Sequence, residues 1–97
     1  MNVERKKYCV NGEWLESKTQ TYMPVTDSST GEVIAEVPCC TKDEVESAIA
    51  AAQSAFPQWS ALSLSQRTQM MFKWRNILLE HLEELTLLCA KELGKNL

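Results

Sequence analysis

Ninety-seven residues, 44% hydrophobic and 24% charged, suffice for one small domain or for part of a larger one. A net charge of −3 and a pI near 5.1 argue against a nucleic-acid or anionic-membrane partner. No apolar run approaches the roughly 20 residues of a membrane span, and Met1 to Lys7 is followed by only Tyr8-Cys9-Val10 before the polar Asn11-Gly12, so no signal-peptide core is present; a cytoplasmic location is the expectation.

The first third, residues 1–38, reads as strands and turns. Tyr8-Cys9-Val10 and Glu13-Trp14-Leu15 flank Asn11-Gly12. Asn-Gly between apolar runs predicts a two-residue hairpin, because a type I′ turn needs positive φ at both central positions. Tyr22 to Thr26 is a second extended run, and Pro24 within it implies a sheet edge or a strand end. Asp27-Ser28-Ser29-Thr30-Gly31 is a dense turn cluster. Val33 to Val37 follows as a strand, closed by Pro38.

The rest reads as three helices, over 41–56, 64–80 and 82–93. Thr41-Lys42-Asp43-Glu44 and Ser63-Leu64-Ser65-Gln66 are capping boxes, in which hydroxyl and third-position side chain satisfy each other's backbone amides. Val45, Ala48, Ile49, Ala52 and Phe56 recur at helical spacing. Pro57 disfavours helical geometry in its predecessor, which places the first helix end near Phe56. In the second helix Met70 or Met71, Trp74, Ile77 and Leu78 point inward, with Arg67, Lys73 and Arg75 solvated. The pattern shifts at His81. Leu82, Leu85, Leu88 and Cys89 form a new stripe, Glu83 and Glu84 suit a first turn, and Gly94 suits a left-handed cap with Lys91 and Lys95 near the carbonyl end.

Each reactive residue type lacks a partner. His81 as a general base needs a nucleophile and an orienting group, yet four residues either side stand Ile77 and Leu85; a helix-junction histidine is the reading preferred. Glu80, Glu83 and Glu84 are expected on a wet face. Cys9, Cys39, Cys40 and Cys89 match neither a C-x-x-C motif nor a zinc set, and read as free, small hydrophobes. Three scattered glycines make no phosphate loop; Gly94-Lys95 ends a helix where a P-loop would begin one. The acidity of the chain speaks against Arg67, Lys73 and Arg75 with Trp74 as a recognition helix.

One ordered set of segments goes beyond a generic α+β domain. It comprises Tyr8-Cys9-Val10-Asn11-Gly12-Glu13-Trp14-Leu15-Glu16-Ser17, Ser29-Thr30-Gly31-Glu32-Val33-Ile34-Ala35-Glu36-Val37-Pro38, Glu44-Val45-Glu46-Ser47-Ala48-Ile49-Ala50-Ala51-Ala52, Ala55-Phe56-Pro57-Gln58-Trp59-Ser60 and Glu92-Leu93-Gly94-Lys95. In that order and spacing the chain resembles the N-terminus of the NAD(P)-dependent aldehyde dehydrogenase superfamily over nearly its whole length. Cys40-Thr41 before Glu44 to Ile49, and Glu84 to Ala90 before Gly94-Lys95, make it most similar to the methylmalonate-semialdehyde dehydrogenase group. It departs from the family's Asn-Pro-Ala-Thr-Gly turn, which stands here as Asp27-Ser28-Ser29-Thr30-Gly31, and from Glu-Asn-Gly-Lys, which stands as Glu92-Leu93-Gly94-Lys95. Asp27 can still make the side-chain-to-backbone bond of the family's Asn.

The resemblance implies an α+β segment, a hairpin and short strands followed by three helices, within a larger α/β (Rossmann-like) fold. It implies an oligomeric oxidoreductase in which a thiolate attacks the aldehyde, hydride passes to NAD, and the thioester is released to water or coenzyme A. The nucleophilic cysteine, general base, oxyanion asparagine and nucleotide-binding segments of the family lie downstream of this region. No catalytic, cofactor-binding or metal-binding role is therefore carried over to any residue here, and no cofactor is expected on this segment alone. The expected partner is the remainder of such an enzyme or a second copy, with a stand-alone module docking on full-length subunits as the alternative. Helices made for absent neighbours should leave a large apolar patch around Trp74, Ile77, Leu78, Leu85 and Leu88.

Overall fold

The computed structural model describes residues 3–94 and residue 96; Lys95, placed above near the end of the third helix, lies outside them. The elements are β1 (Glu4–Arg5), β2 (Tyr8–Val10), β3 (Glu13–Leu15), β4 (Tyr22–Thr26), β5 (Val33–Pro38), α1 (Lys42–Ser60), α2 (Leu64–Glu80) and α3 (Leu82–Leu93).

β2 and β3 pair antiparallel, Tyr8 with Leu15, Cys9 with Trp14 and Val10 with Glu13. Asn11 at φ 52° and Gly12 at φ 77° supply the two positive φ values of a type I′ turn. The second sheet has the order β1-β5-β4, with β1 parallel and β4 antiparallel to β5. Pro24 lies opposite Glu36 on β4, an edge strand, where a missing N–H removes no bond from a further neighbour. A register shift between Val25 and Thr26 bends that edge. β1 was not anticipated, since Glu4-Arg5-Lys6-Lys7 has no apolar alternation. Its place comes from partners distant in sequence: Lys6 N–H donates to Glu36 O at 2.8 Å, and the Arg5 guanidinium lies over the Tyr22 ring at 4.4 Å.

α1 starts as its capping box dictates. Glu44 N–H donates to Thr41 Oγ1 at 3.3 Å and Thr41 N–H donates to Glu44 Oε1 at 2.9 Å. It does not stop near Phe56 but runs through Pro57 to Ser60. The restriction before proline is a preference that one more closed turn offsets. Ala61 N–H and Ser60 Oγ both donate to Pro57 O, each at 3.1 Å, and Leu62 N–H donates to Trp59 O at 3.1 Å. The second box, Ser63 with Gln66, starts α2 in the same way. His81, at φ −106° and ψ 19°, joins α2 to α3. Its N–H donates to Ile77 O and Leu78 O, and its carbonyl accepts from Leu85 N–H.

Burial departs most from the expected stripes. Among the described residues only Ala35, on the central strand, is buried. Met70, Met71, Trp74, Ile77 and Leu78 do not point into a core; Trp74 is 56% exposed and Ile77 54%. On α1 the half-buried positions are Glu44, Ala48 and Ala51, which face the hairpin, while Val45, Ile49 and Phe56, about 100° further round the helix, are open. Arg67, expected solvated, is half-buried with its Nε enclosed and without a hydrogen-bond partner. The chain is a slab of 47 × 36 × 16 Å. Its radius of gyration of 17.1 Å exceeds the roughly 13 Å of a compact domain this long.

The turn at Asp27–Gly31 ties the sheet to the end of α3. Ser29 N–H donates to Asp27 Oδ1 at 2.9 Å, the local bond expected of Asp27. Ser28 N–H donates to Lys91 O at 2.9 Å, and Ser28 Oγ donates to Glu92 O. These bonds satisfy carbonyls that a helix end leaves open. Gly94 closes α3 at φ 69°, and a Cβ there would come within 3.2 Å of Ser28 Cβ. The family's proline in place of Ser28 has neither donor. Ser28→Ala should loosen the last turn of α3 by about 1 kcal/mol, and Ser28→Pro by about twice that, because each lost bond is worth about 0.5–1.5 kcal/mol. Amide hydrogen exchange at Gly94 and its helical neighbours reads both; equal exchange in the two variants would contradict the assignment.

Candidate functional site

The densest polar constellation is built around Glu44. Besides closing the capping box, its carboxylate accepts from Ser17 Oγ at 2.6 Å and from Lys18 N–H at 2.8 Å. Ser17 Oγ in turn accepts from Thr19 N–H at 3.1 Å. One side chain thus joins the segment after the hairpin to the start of α1. Hydrogen bonds from Ser17, Lys18 and Thr41 lower the Glu44 pKa from 4.5 to about 2, the Ser17 hydroxyl contributing most and the Lys18 amide next. A shallow cleft of about 450 Å³ opens here, its wall including Tyr8, Leu15, Lys18 and Ser47. The Tyr8 phenol is pushed up, by partial desolvation first and by the Glu44 charge second. This arrangement joins two elements; it presents neither a nucleophile nor a base held by a third group.

The remaining candidates stay apart. His81 Nδ1 lies 3.2 Å from Glu84 Oε2, a partner three residues on that a search at four-residue spacing misses. Glu80 ends α2 and Glu84 belongs to α3, so the chain bends between them and they are not successive turns of one helix. The four cysteines are free, Cys9 and Cys89 exposed and Cys39 and Cys40 half-buried. Among the described residues no three His, Cys, Asp or Glu side chains gather as a metal set. Lys73 and Arg75 are exposed, Arg75 lying over Phe72 at 5.1 Å, but Arg67 is withdrawn from any shared basic face. Gly12 and Gly31 lie in turns and Gly94 ends α3, so the described residues do not fit a dinucleotide cradle at a helix start.

What the described residues offer in quantity is uncovered apolar surface. Trp74, Ile77, Leu78, Leu85 and Leu88 are all exposed, from 37% at Leu85 to 56% at Trp74, as the helix patterns led one to expect for an isolated chain. An open cleft of about 700 Å³ lies where α2 meets α3, lined by Leu79, Leu82 and Leu87 with Glu80 and Glu83 at its edge. Surfaces of this kind are contact surfaces.

Residues 14–97 match the aldehyde dehydrogenase family. The chain belongs to that family. It is 40% identical over 96 residues to a malonate-semialdehyde dehydrogenase of Lacticaseibacillus casei, covering 99% of this chain and 20% of that protein. It is 42% identical over 94 residues to malonate-semialdehyde dehydrogenase 2 of Oceanobacillus iheyensis, covering 97% and 19%. The chain therefore spans about one fifth of the length of the curated relatives it matches. Among solved structures it superposes on aldehyde dehydrogenase C of Pseudomonas syringae, in complex with NAD+ and octanal, with a TM-score of 0.83 at 29% identity, covering 89% of this chain and 18% of that one. An aldehyde dehydrogenase of Bartonella henselae shares the fold with a TM-score of 0.86 at 24% identity, over 93% of this chain and 19% of that one. No helix among the described residues is long and apolar enough to cross a membrane.

Two linking residues escaped the sequence reading. Glu44 and Ser28 were each placed in a local motif, but their long-range partners stand 26 to 27 and 64 residues away, and no spacing rule reaches that far. The folded-state pKa of Glu44 lies below its unfolded value, so its bonds contribute fully above about pH 4.5 and are lost as pH falls through about 2. The Ser17 and Lys18 resonances should therefore titrate near pH 2 in the parent chain. In Glu44→Gln that step should vanish and the Lys18 amide should exchange faster. Titration near pH 4.5 in the parent would contradict the network.

Proposed function

We propose that residues 1–97 form the N-terminal scaffold of an NAD-dependent aldehyde dehydrogenase domain, one that in the complete enzyme oxidises malonate semialdehyde or its methyl homologue. The observation that carries this reading is the 40% identity to a malonate-semialdehyde dehydrogenase across 99% of the chain. In the complete enzyme NAD accepts the hydride and a cysteine thioester passes the acyl group to water or coenzyme A. The residues here act before that chemistry. Glu44 fixes the hairpin against α1, Ser28 fixes the sheet against α3, and the open helix faces receive the parts that carry the active site. No residue of the segment is assigned a catalytic, cofactor-binding or metal-binding role, and the chain alone is expected to be inactive. The partner is the remainder of such an enzyme or another copy of the chain, in the cytoplasm. The same exposed faces also suit a stand-alone module that docks on full-length subunits.

The test is an in-line chimera, with this chain replacing the matching fifth of the Lacticaseibacillus casei enzyme. NAD reduction with malonate semialdehyde should be retained to within about tenfold of the parent kcat/KM, a barrier change below about 1.4 kcal/mol. The 97-residue chain by itself should reduce no NAD. Turnover by the chain alone, or a folded chimera without activity, would overturn the scaffold reading.

A further inference from the structure

The chain exposes 8273 Å² of surface. A compact monomer of 11.0 kDa exposes roughly 5,600 Å², so an excess of roughly 2,700 Å² is left over. A standard protein interface takes about 800 Å² from each partner, less than a third of that excess. The slab measures 16 Å across its shortest axis against 47 Å along its longest. Stable domains need at least two layers packed on a common core. Among the described residues a single one, Ala35, is buried.

These quantities decide between occupants. A second copy meeting this one across a single contact of standard size would leave most of the excess uncovered. A continuous polypeptide several times longer can add a layer and wrap the rest, and the relatives have such a polypeptide, since this chain matches only 20% of theirs. Resting on the dehydrogenase reading above, we infer that the α2–α3 face, through Trp74, Ile77, Leu78, Leu85 and Leu88, is the seat for the remaining four-fifths of an aldehyde dehydrogenase polypeptide, and that it binds that polypeptide in trans when the two are separate chains. Beside that face, the open cleft lined by Leu79, Leu82 and Leu87 offers further apolar surface. Glu80 and Glu83 border it and remain wet at its rim.

The test is co-expression of a tagged 97-residue chain with the Lacticaseibacillus casei malonate-semialdehyde dehydrogenase lacking its matching fifth, so that neither piece must fold before meeting the other. The expected result is a complex with equal numbers of the two chains on size exclusion with light scattering, together with NAD reduction that neither piece gives alone. Trp74→Gln and Leu85→Gln keep helix-compatible side chains but remove apolar contact. Each should weaken association at least on the order of tenfold, with unchanged helical circular dichroism, while Glu46→Gln on α1 should leave it unchanged. Co-purification that both glutamine variants leave intact would overturn the inference, as would recovery of the chain only as its own homo-oligomer. The in-line chimera separates the two levels: an active chimera with no association in trans refutes this inference alone, whereas an inactive folded chimera refutes the dehydrogenase scaffold itself.

Discussion

Nearly everything about the described residues follows from one constraint: most of their large apolar side chains are left uncovered. Folding stability comes chiefly from burying apolar surface, yet one alanine is the only buried residue described. The helices are well formed locally and still unpartnered. Ala48 and Ala51 face the hairpin across a cleft they share with Cys9, Val10 and Asn11, and the larger apolar residues of α1 are left open.

Where a core is missing, directional polar bonds carry the arrangement of elements. Glu44 is both cap and tether, so the start of α1 cannot shift without releasing Ser17 and Lys18. Ser28 does the same at the other end of the slab by donating to Lys91 and Glu92. The Arg5–Tyr22 stack bridges the two outer strands across β5. Hydrogen bonds contribute little net stability each but are directional, which is why they orient a layer that hydrophobic packing does not yet hold.

Membership of the aldehyde dehydrogenase family gives this open form a reason. The chain spans about one fifth of the length of its relatives, and on the scaffold reading it is one layer of a larger object. On the same reading, the exposed helix faces, at odds with a self-sufficient domain, become the surfaces of assembly.

The sequence by itself determined the local structure. Asn11-Gly12 specified its hairpin because both residues accept positive φ. Thr41 to Glu44 and Ser63 to Gln66 specified two helix starts because their partners are three residues apart. Gly94 marked the end of the third helix through its left-handed φ. The ordered segments also placed the family, since they preserve spacing across nearly the whole chain. The tertiary structure alone decided the rest. It made a strand of Glu4-Arg5, carried α1 past Pro57, turned the alanine face of α1 toward the hairpin, and sent Glu44 and Ser28 to partners far along the chain. Periodicity tells which face of a helix is apolar, but not what covers it; that depends on elements brought together in space, and here most of the apolar faces remain uncovered.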